Sequence, residues 1–181
     1  GEAIERKLLS DYRVVVVGVN DAMVREMVMN RTLVKTDTGV VDDARSLAVQ
    51  VGLAKAIKDY DLKRVISFHS RIDLAKNFAS DFHLLLDWLE EKHKPSGRLT
   101  YEHVSGEMPT SARTTKLRSL GRLEDEDRYM LANARCLSEG VDVPTLDGVA
   151  FVDPKRSEIA IIQAVGRAIR LDQANEDKIG T

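Results

Sequence analysis

The sequence predicts a single α/β domain, residues 1–181, with a mostly parallel β-sheet covered by helices on both faces. Short apolar runs, typical of strands buried on both faces, alternate with amphipathic helical stripes along the chain. Parallel strands need helical crossovers, so this alternation favours parallel pairing. A chain of 181 residues is long enough to bury one sizeable core, and it contains no internal repeat.

The first half of the chain predicts two strands and two helices. A β-branched run closed by glycine, residues 12–18, predicts a central strand. Apolar residues between Ala44 and Ile57 recur at three- and four-residue spacing and predict an amphipathic helix. Residues 64–69 predict the next strand, and the apolar stripe at residues 74–89 predicts a long helix.

The second half continues the alternation. Residues 99–104 predict a strand, and residues 112–120 predict a helix that ends at a glycine. Strands are predicted again at residues 129–132 and 148–152, where apolar residues are followed by polar or turn residues. The last helix is predicted at residues 157–171.

Composition and charge exclude several classes of protein. With 43% hydrophobic and 31% charged residues, the chain has an ordinary globular composition. The formal net charge of -2 excludes a globally basic domain, so any nucleic acid must bind to a local basic surface. The single cysteine, Cys136, cannot form an internal disulfide bond, and no N-terminal run resembles a signal peptide or membrane span. We therefore expect a cytoplasmic protein without a membrane partner.

The last predicted helix carries an amide and two guanidinium groups on one side. Gln163, Arg167 and Arg170 occupy positions i, i+4 and i+7, so all three can contact one ligand. Guanidinium groups match phosphate oxygens, and an arginine from a second lobe can stabilise charge on a transferring phosphoryl group. Gly166 would permit close approach of a ligand to the backbone. The alternative is an ordinary solvated helix on which the arginines pair with carboxylates.

A polar loop follows the strand predicted at residues 129–132. Ligand sites of open parallel sheets gather at the carboxyl ends of the strands. In this loop Gly140 permits unusual backbone angles, and Glu139 and Asp142 offer acceptors for ribose hydroxyls, water or an arginine. The alternative is a polar connection between two strands.

Together these two segments resemble conserved motifs in the second RecA-like lobe of superfamily 2 helicases of the DEAD/DEAH type. Residues 138–144 are similar to motif five and residues 163–170 to motif six, in the right order and at the right separation. Residues 69–71 resemble motif four, and residues 103–106 with Arg113 resemble the segment between. The resemblance covers about residues 65–171 and implies a RecA-like fold.

The resemblance implies contacts with ATP and Mg²⁺ that are bound mainly by the other, N-terminal lobe. Arg167 and Arg170 would reach the γ-phosphate, with Arg170 as the arginine finger, and Gln163 would orient water or the phosphate network. The remaining residues expected at the nucleotide are Gly140, Asp142, Glu139 and Gly166.

The resemblance also implies a nucleic-acid track. The residues expected to face the phosphate backbone are Ser70, Arg71, Ser105, Gly106, Arg113, Asn133 and Arg135. Many family members have a threonine early in motif five that contacts a phosphate, whereas residues 133–135 here are asparagine, alanine and arginine. The alternative is a set of surface side chains without a specific role.

Two further groups of side chains are candidate sites. The four histidines lack metal-ligand spacing, so no metal site is predicted. A basic group at residues 113–122 either follows a phosphate backbone or is an ordinary solvated helix face. Its members are Arg113, Lys116, Arg118 and Arg122.

A complete motor needs a phosphate loop, G-x-x-x-x-G-K-[ST], and an acidic strand motif that holds the metal. Neither occurs in this sequence. We therefore expect an excised lobe that neither hydrolyses ATP nor unwinds a duplex alone. Its expected partner is the N-terminal RecA-like lobe of the same parent chain.

The leading hypothesis is the C-terminal motor lobe of an ATP-dependent helicase or translocase. The motif-five segment resembles DNA translocases of restriction or repair type more than RNA-acting DEAD-box proteins, so DNA is the expected polymer and RNA the alternative. A second hypothesis is a helicase-like nucleic-acid-binding or regulatory module without ATPase activity. A small-molecule enzyme on a doubly wound sheet is disfavoured, since no G-x-G-x-x-G follows a predicted strand.

Overall fold

The computed structural model describes residues 11–16, 44–124, 126–134, 136, 146–153, 165–166 and 179–180. Its strands are β1 (Asp11–Tyr12), β2 (Arg64–His69), β3 (Arg98–Ser105), β4 (Asp127–Ala134), β5 (Gly148–Phe151) and β6 (Ile179–Gly180). Its helices are α1 (Ala44–Asp59), α2 (Ile72–Trp88) and α3 (Thr110–Gly121), with a short 3₁₀-helix at Glu91–His93. The main sheet has the strand order β3-β4-β2-β5.

All strand pairs in the main sheet are parallel. Tyr129 on β4 lies opposite Arg64 on β2 and opposite Thr100 on β3. Val65 on β2 lies opposite Gly148 on β5. α2 connects β2 to β3 and α3 connects β3 to β4, as parallel pairing requires. The predicted α/β fold with a mostly parallel sheet is confirmed.

The two faces of the sheet bury separate apolar clusters. The cluster beneath α1 and α2 includes Val65, Met130, Ile57, Phe78 and Phe82. The cluster beneath α3 includes Ile66, Leu131, Val104 and Leu120. Neighbouring residues of one strand belong to opposite clusters, because successive side chains of a strand point to opposite faces. β2 and β4 are buried on both faces, which explains their continuous apolar sequences.

Helical periodicity located α1, α2 and α3 to within two residues at each end. On α2, Phe78, Phe82 and Leu85 are buried at positions i, i+4 and i+7, as predicted. Leu74, the first residue of the predicted stripe, is instead exposed. No helix in the described part of the chain has the length and apolar character needed to cross a membrane.

The central strand predicted at residues 12–18 is wrong in its described part. Among the described strands, β1 pairs with β6 in a two-stranded parallel sheet and not with the main sheet. Residues 13–16 belong to no strand, and Val14 and Val16 are 78% and 90% exposed. A β-branched run favours extended backbone but does not determine which strand pairs with it or what covers its side chains. Of the helix predicted at residues 157–171, only residues 165 and 166 are described, and both are helical.

Arg128, near the start of β4, joins three segments at the amino edge of the sheet. Its side chain is 6% exposed. Nη1 donates to Leu62 O at 2.8 Å, and Nε donates to Ser96 O at 2.6 Å. Nη2 donates to Ser96 Oγ at 2.8 Å and to the carboxylate of Asp61. A buried guanidinium is costly unless its N–H groups are paired, and each nitrogen here has a partner. The loops before β2 and β3 are therefore fixed to β4.

The carboxylate of Asp147 aligns β5 with β2 at the same edge. Its Oδ1 accepts a hydrogen bond from Arg64 N at 2.8 Å, and its Oδ2 accepts one from Lys63 N at 3.1 Å. Asp147 N donates in turn to Arg64 O at 3.1 Å. These bonds fix the register in which β5 begins beside β2.

We expect Arg128→Met to lower the free energy of unfolding by about 3 kcal/mol, because the buried carbonyl of Leu62 and the part-buried contact with the carbonyl of Ser96 lose their donor. Urea denaturation followed by circular dichroism measures this loss. Lys92→Met is the matched control, since Lys92 forms an exposed ion pair with Glu90 and its loss should leave stability unchanged. Equal stability of the two variants would contradict the role assigned to Arg128.

Candidate nucleic-acid interface

The four strands of the main sheet end side by side at its carboxyl edge. Across the sheet, their last residues are Ser105, Ala134, His69 and Phe151. His69 and Ser105 both lie opposite Ala134. Adjacent strands are about 4.8 Å apart, so residues that follow these ends lie within a few strand spacings of one another. This edge is the candidate site, as expected for an open parallel sheet.

Ser70 is held by Asp153, which follows the neighbouring strand β5. The backbone N–H of Ser70 donates to Asp153 Oδ2 at 2.8 Å, and its hydroxyl donates to the same oxygen at 2.9 Å. The backbone N–H of Val152 donates to Phe68 O at 3.2 Å. These bonds join the ends of β2 and β5. A phosphate could accept the proton of the Ser70 hydroxyl only by replacing Asp153.

Arg71 is exposed at the N-terminus of α2 and pairs with Asp73. Its Nε donates to Asp73 Oδ1 at 3.0 Å, and its Nη2 contacts the other carboxylate oxygen. The hydrogen bond from Arg71 is the main cause that lowers the pKa of Asp73 below its ordinary value. Since both side chains are more than half exposed, a phosphate can replace this carboxylate at little cost.

His69, the last residue of β2, packs behind the carboxyl edge. It is buried, and its Nε2 is hydrogen-bonded to Ser67 Oγ at 3.0 Å. Its ring centroid lies 4.8 Å from that of Phe78. Burial lowers the pKa of His69 from 6.5 to about 4, against the opposing charge of Asp153. His69 is therefore a neutral packing residue behind the loop that carries Ser70.

The two predicted contacts at the end of β3 differ in exposure. Ser105 is 2% exposed, and its carbonyl accepts a hydrogen bond from Met108 N at 3.2 Å. Gly106 is exposed. The turn therefore presents Gly106 at the surface and keeps the side chain of Ser105 beneath it.

Asn133, Cys136 and Arg113 come together beside the end of β4. Asn133 is 2% exposed, and its Oδ1 accepts a hydrogen bond from Cys136 Sγ at 3.1 Å. Burial raises the pKa of the Cys136 thiol, and the nearby charge of Arg113 opposes this rise. Arg113 Nη2 also donates to Thr110 Oγ1 at 3.1 Å. Arg113, which is partly exposed, supplies the positive charge of this group.

Most of the residues predicted to contact ATP lie outside the described part of the chain. These are Gln163, Arg167, Arg170, Glu139, Gly140 and Asp142, and the predicted nucleic-acid contact Arg135 also lies outside it. Gly166 is described, and a Cβ added there would meet no described atom within 4 Å. Among the described residues, no group of three or more acidic, histidine or cysteine side chains could hold Mg²⁺.

Sequence reasoning missed the roles of Asp153 and His69. The sequence alone indicates no role for Asp153, and for His69 it indicates only a position in motif four and no metal-ligand spacing. The available signal for Asp153 was its position directly after an apolar strand of a parallel sheet, where an acceptor can bond to the next loop. His69 gave no such signal, because its burial depends on packing against α2.

Comparison with known families identifies the domain. The model of the helicase conserved C-terminal domain matches residues 51–172, which is 122 of the 181 residues. The chain belongs to the helicase conserved C-terminal domain family. The resemblance to the second RecA-like lobe of superfamily 2 helicases is thus confirmed. No curated protein sequence matches the chain.

Solved structures share this fold. The ATP-dependent Type ISP restriction-modification enzyme LlaBIII bound to DNA is 29% identical, with a TM-score of 0.79 over 98% of this chain and 12% of that one. Mss116p DEAD-box helicase domain 2 bound to an RNA duplex is 15% identical, with a TM-score of 0.53 over 75% of this chain and 48% of that one. The C-terminal part of the Fun30 ATPase domain is 15% identical, with a TM-score of 0.56 over 86% and 48% of the two chains. This chain therefore spans less than half of each of these relatives.

We expect the stability of the domain to fall as the pH drops from 7 to 5. The pKa of His69 is about 4 in the folded protein and 6.5 as its ordinary value, so between these values the unfolded chain binds the proton more tightly. The contribution of neutral His69 is complete above pH 6.5 and is lost as the pH falls toward 4, by about 2 kcal/mol at pH 5.

Urea denaturation at both pH values measures this effect. His69→Gln should lose less stability than the wild type between pH 7 and pH 5, by about 2 kcal/mol. His93→Gln, in the 3₁₀-helix, is the matched control and should keep the wild-type pH dependence. An unchanged pH dependence in His69→Gln would show that other groups control acid stability.

Proposed function

We propose that this chain is the C-terminal motor lobe of an ATP-dependent DNA translocase. In this proposal it supplies an arginine finger and part of the nucleic-acid track, while the N-terminal lobe of the same parent protein binds most of the ATP and Mg²⁺. One observation carries the proposal: nearly the whole chain, 98%, superimposes on part of LlaBIII with a TM-score of 0.79. LlaBIII is an ATP-dependent enzyme whose structure was solved bound to DNA.

The order of the strands supports a shared nucleotide site. β4 and β5 are separated by β2, so their ends are about 10 Å apart, which is two strand spacings. The chain that follows β4 contains Glu139, Gly140 and Asp142. The chain that follows β5 contains Gln163, Arg167 and Arg170. Segments that leave the sheet this close together can both reach one nucleotide held above the carboxyl edge.

The proposed roles follow from the chemistry of phosphoryl transfer. This reaction depends on positioning and on stabilising the charge that spreads over the transferred group. Arg170 stabilises that charge as the finger, Arg167 contacts neighbouring phosphate oxygens, and Gln163 orients the attacking water. Because these groups belong to a different lobe from the phosphate loop, hydrolysis requires the two lobes to close. That requirement couples ATP turnover to movement of this lobe along the nucleic acid.

The described edge supports a backbone track on the β3 and β4 side. Gly106 exposes its backbone, and Arg113 provides a guanidinium on the first turn of α3. The buried Ser105 and Asn133 hold this surface in place and contact phosphate only if the edge rearranges. Arg71 can exchange Asp73 for a phosphate. Contacts of this kind bind the backbone without reading its sequence.

DNA is proposed as the polymer on the strength of the comparisons. LlaBIII, solved with DNA, is 29% identical to this chain, whereas Mss116p domain 2, solved with an RNA duplex, is 15% identical. The latter likeness supports only the fold. The RNA alternative is decided by experiment.

We expect Arg170→Ala in the parent protein to reduce nucleic-acid-stimulated ATP hydrolysis by a factor of about 1,000, because an arginine finger contributes about 10³ to 10⁵ to turnover. ATP binding should stay near the wild-type level, since the other lobe holds most of the nucleotide. Steady-state ATPase assays and fluorescent-nucleotide titration measure the two properties. Lys92→Ala is the control. Near-normal ATP turnover by the Arg170→Ala variant would show that Arg170 is not the arginine finger.

The choice between DNA and RNA is tested by comparing how strongly duplexes of the same base sequence stimulate the ATPase of the parent protein. We expect duplex DNA to stimulate the ATPase of the parent protein at least about tenfold more than duplex RNA, since DNA is the proposed track. Equal stimulation would overturn the DNA assignment and keep the motor. A parent protein that binds nucleic acid but shows no turnover with either would support the regulatory module instead.

A further inference from the structure

A polar groove of about 520 Å³ lies between α3 and β3, the strand at one end of the sheet order. It is distinct from the carboxyl edge, because its residues come from the first half of β3, the start of β4 and the end of α3. Three arginines line it, Arg98, Arg118 and Arg122. Thr100 and Ser119, which carry hydroxyl groups, also line the groove. A lining of this kind suits an anion.

Two of the three arginines have no described counter-ion. Arg98 pairs with Asp127 at 2.5 Å, and the groove carboxylate Glu102 pairs with Lys116 at 2.9 Å. Arg118 and Arg122 form no ion pair with any carboxylate in the described part of the chain. Arg122 directly follows the last residue of α3, four positions after Arg118. Both guanidinium groups line the groove, and no described carboxylate pairs with either of them.

The charge pattern of this segment is unlike that of the chain as a whole. Residues 108–123 contain four cations and no carboxylate, the cations being Arg113, Lys116, Arg118 and Arg122. The whole chain has a net charge of -2. Like charges four residues apart destabilise a helix slightly. A bound anion would remove that repulsion.

We propose that this groove binds the phosphate backbone of the nucleic acid, as a second contact outside the track at the carboxyl edge. The inference rests on the proposed function, since it extends the same path. α3 begins just after Gly106 and runs back toward the amino edge. The span from Thr110 to Arg122, the residue that follows α3, is about 18 Å at 1.5 Å per residue. At about 3.4 Å per phosphate along one strand, this length matches about five phosphates.

Phosphate suits the groove better than an acidic peptide does. Guanidinium forks bind phosphate oxygens in pairs, and neighbouring hydroxyl groups add donors. The two carboxylates in the groove are already neutralised by Arg98 and Lys116, so they oppose a phosphate weakly. The regular repeat of phosphates along a nucleic-acid strand also suits two cations spaced like Arg118 and Arg122. The proposed contact is with the backbone and is independent of base sequence.

The test uses the 181-residue chain and a fluorescent 20-nucleotide single-stranded DNA, with binding measured by anisotropy at several salt concentrations. The double variant R118Q/R122Q should bind more weakly. Its slope of log K against log salt should be smaller by about 1.4, because each lost phosphate contact removes about 0.7 for a single strand. R118K/R122K keeps the charges and should keep most of the slope.

The matched control is K58Q/K92Q, which removes two charges from α1 and the adjoining 3₁₀-helix. It should leave the slope unchanged. Circular dichroism establishes that each variant is folded. Equal slopes for R118Q/R122Q and K58Q/K92Q would overturn the groove proposal and leave the motor function intact, because the Arg170→Ala assay tests that function separately. Absence of DNA binding by the wild-type chain would also overturn it.

Two competitors, pyrophosphate and poly-glutamate, test whether the groove binds a small phosphate compound or an acidic protein instead of nucleic acid. Pyrophosphate that binds in an Arg118- and Arg122-dependent way, while DNA binding is unaffected by the substitutions, would show a site for a small phosphate compound and overturn the proposal. Poly-glutamate that binds the groove as tightly as DNA of equal charge would point to an acidic protein partner and also overturn it. A preference for DNA that disappears in R118Q/R122Q supports it.

Discussion

Parallel pairing of β4 with β2 and β3 is the constraint on which the rest of the structure depends. Because all four strands of the main sheet run the same way, α2 and α3 must return the chain to the amino edge. Every loop that follows a strand then starts at the carboxyl edge. Residues distant in sequence, such as Ser70 and Asp153, become neighbours for this reason alone.

The two edges satisfy their polar groups in different ways. At the amino edge, Arg128 and Asp147 both bond to backbone groups, and the side chain of Arg128 is buried. Their loss leaves carbonyl or amide groups unpaired, so this edge contributes stability. At the carboxyl edge, Ser70 and Arg71 bond to carboxylates at the surface. Such contacts are screened by water and exchange easily for those of a ligand. The contacts at the amino edge therefore contribute stability, whereas these surface contacts at the carboxyl edge contribute little.

The sequence predicted those elements whose burial leaves a pattern. β2 is predicted at both ends, since burial on two faces gives a continuous apolar run, and the helices are predicted from their apolar stripes. The run at residues 12–18 has the same pattern as β2, yet Val14 and Val16 are exposed. The difference lies in which segment pairs with the strand, and pairing partners far away in sequence leave no local trace.

The candidate site also has features that the sequence predicts and features that depend on the fold. Its proposed location rests on motif order, whereas the burial of Ser105, Asn133 and His69 depends on packing that no local spacing contains. Charge shows the same limit, since a net charge of -2 excludes a basic domain but does not reveal that residues 108–123, which contain α3, carry four cations and no carboxylate. Salt screens charges beyond about 8 to 10 Å, so a phosphate on α3 interacts with that helix rather than with the average of the chain. The attraction of a nucleic acid therefore depends on the local arrangement of charge, and the fold sets that arrangement.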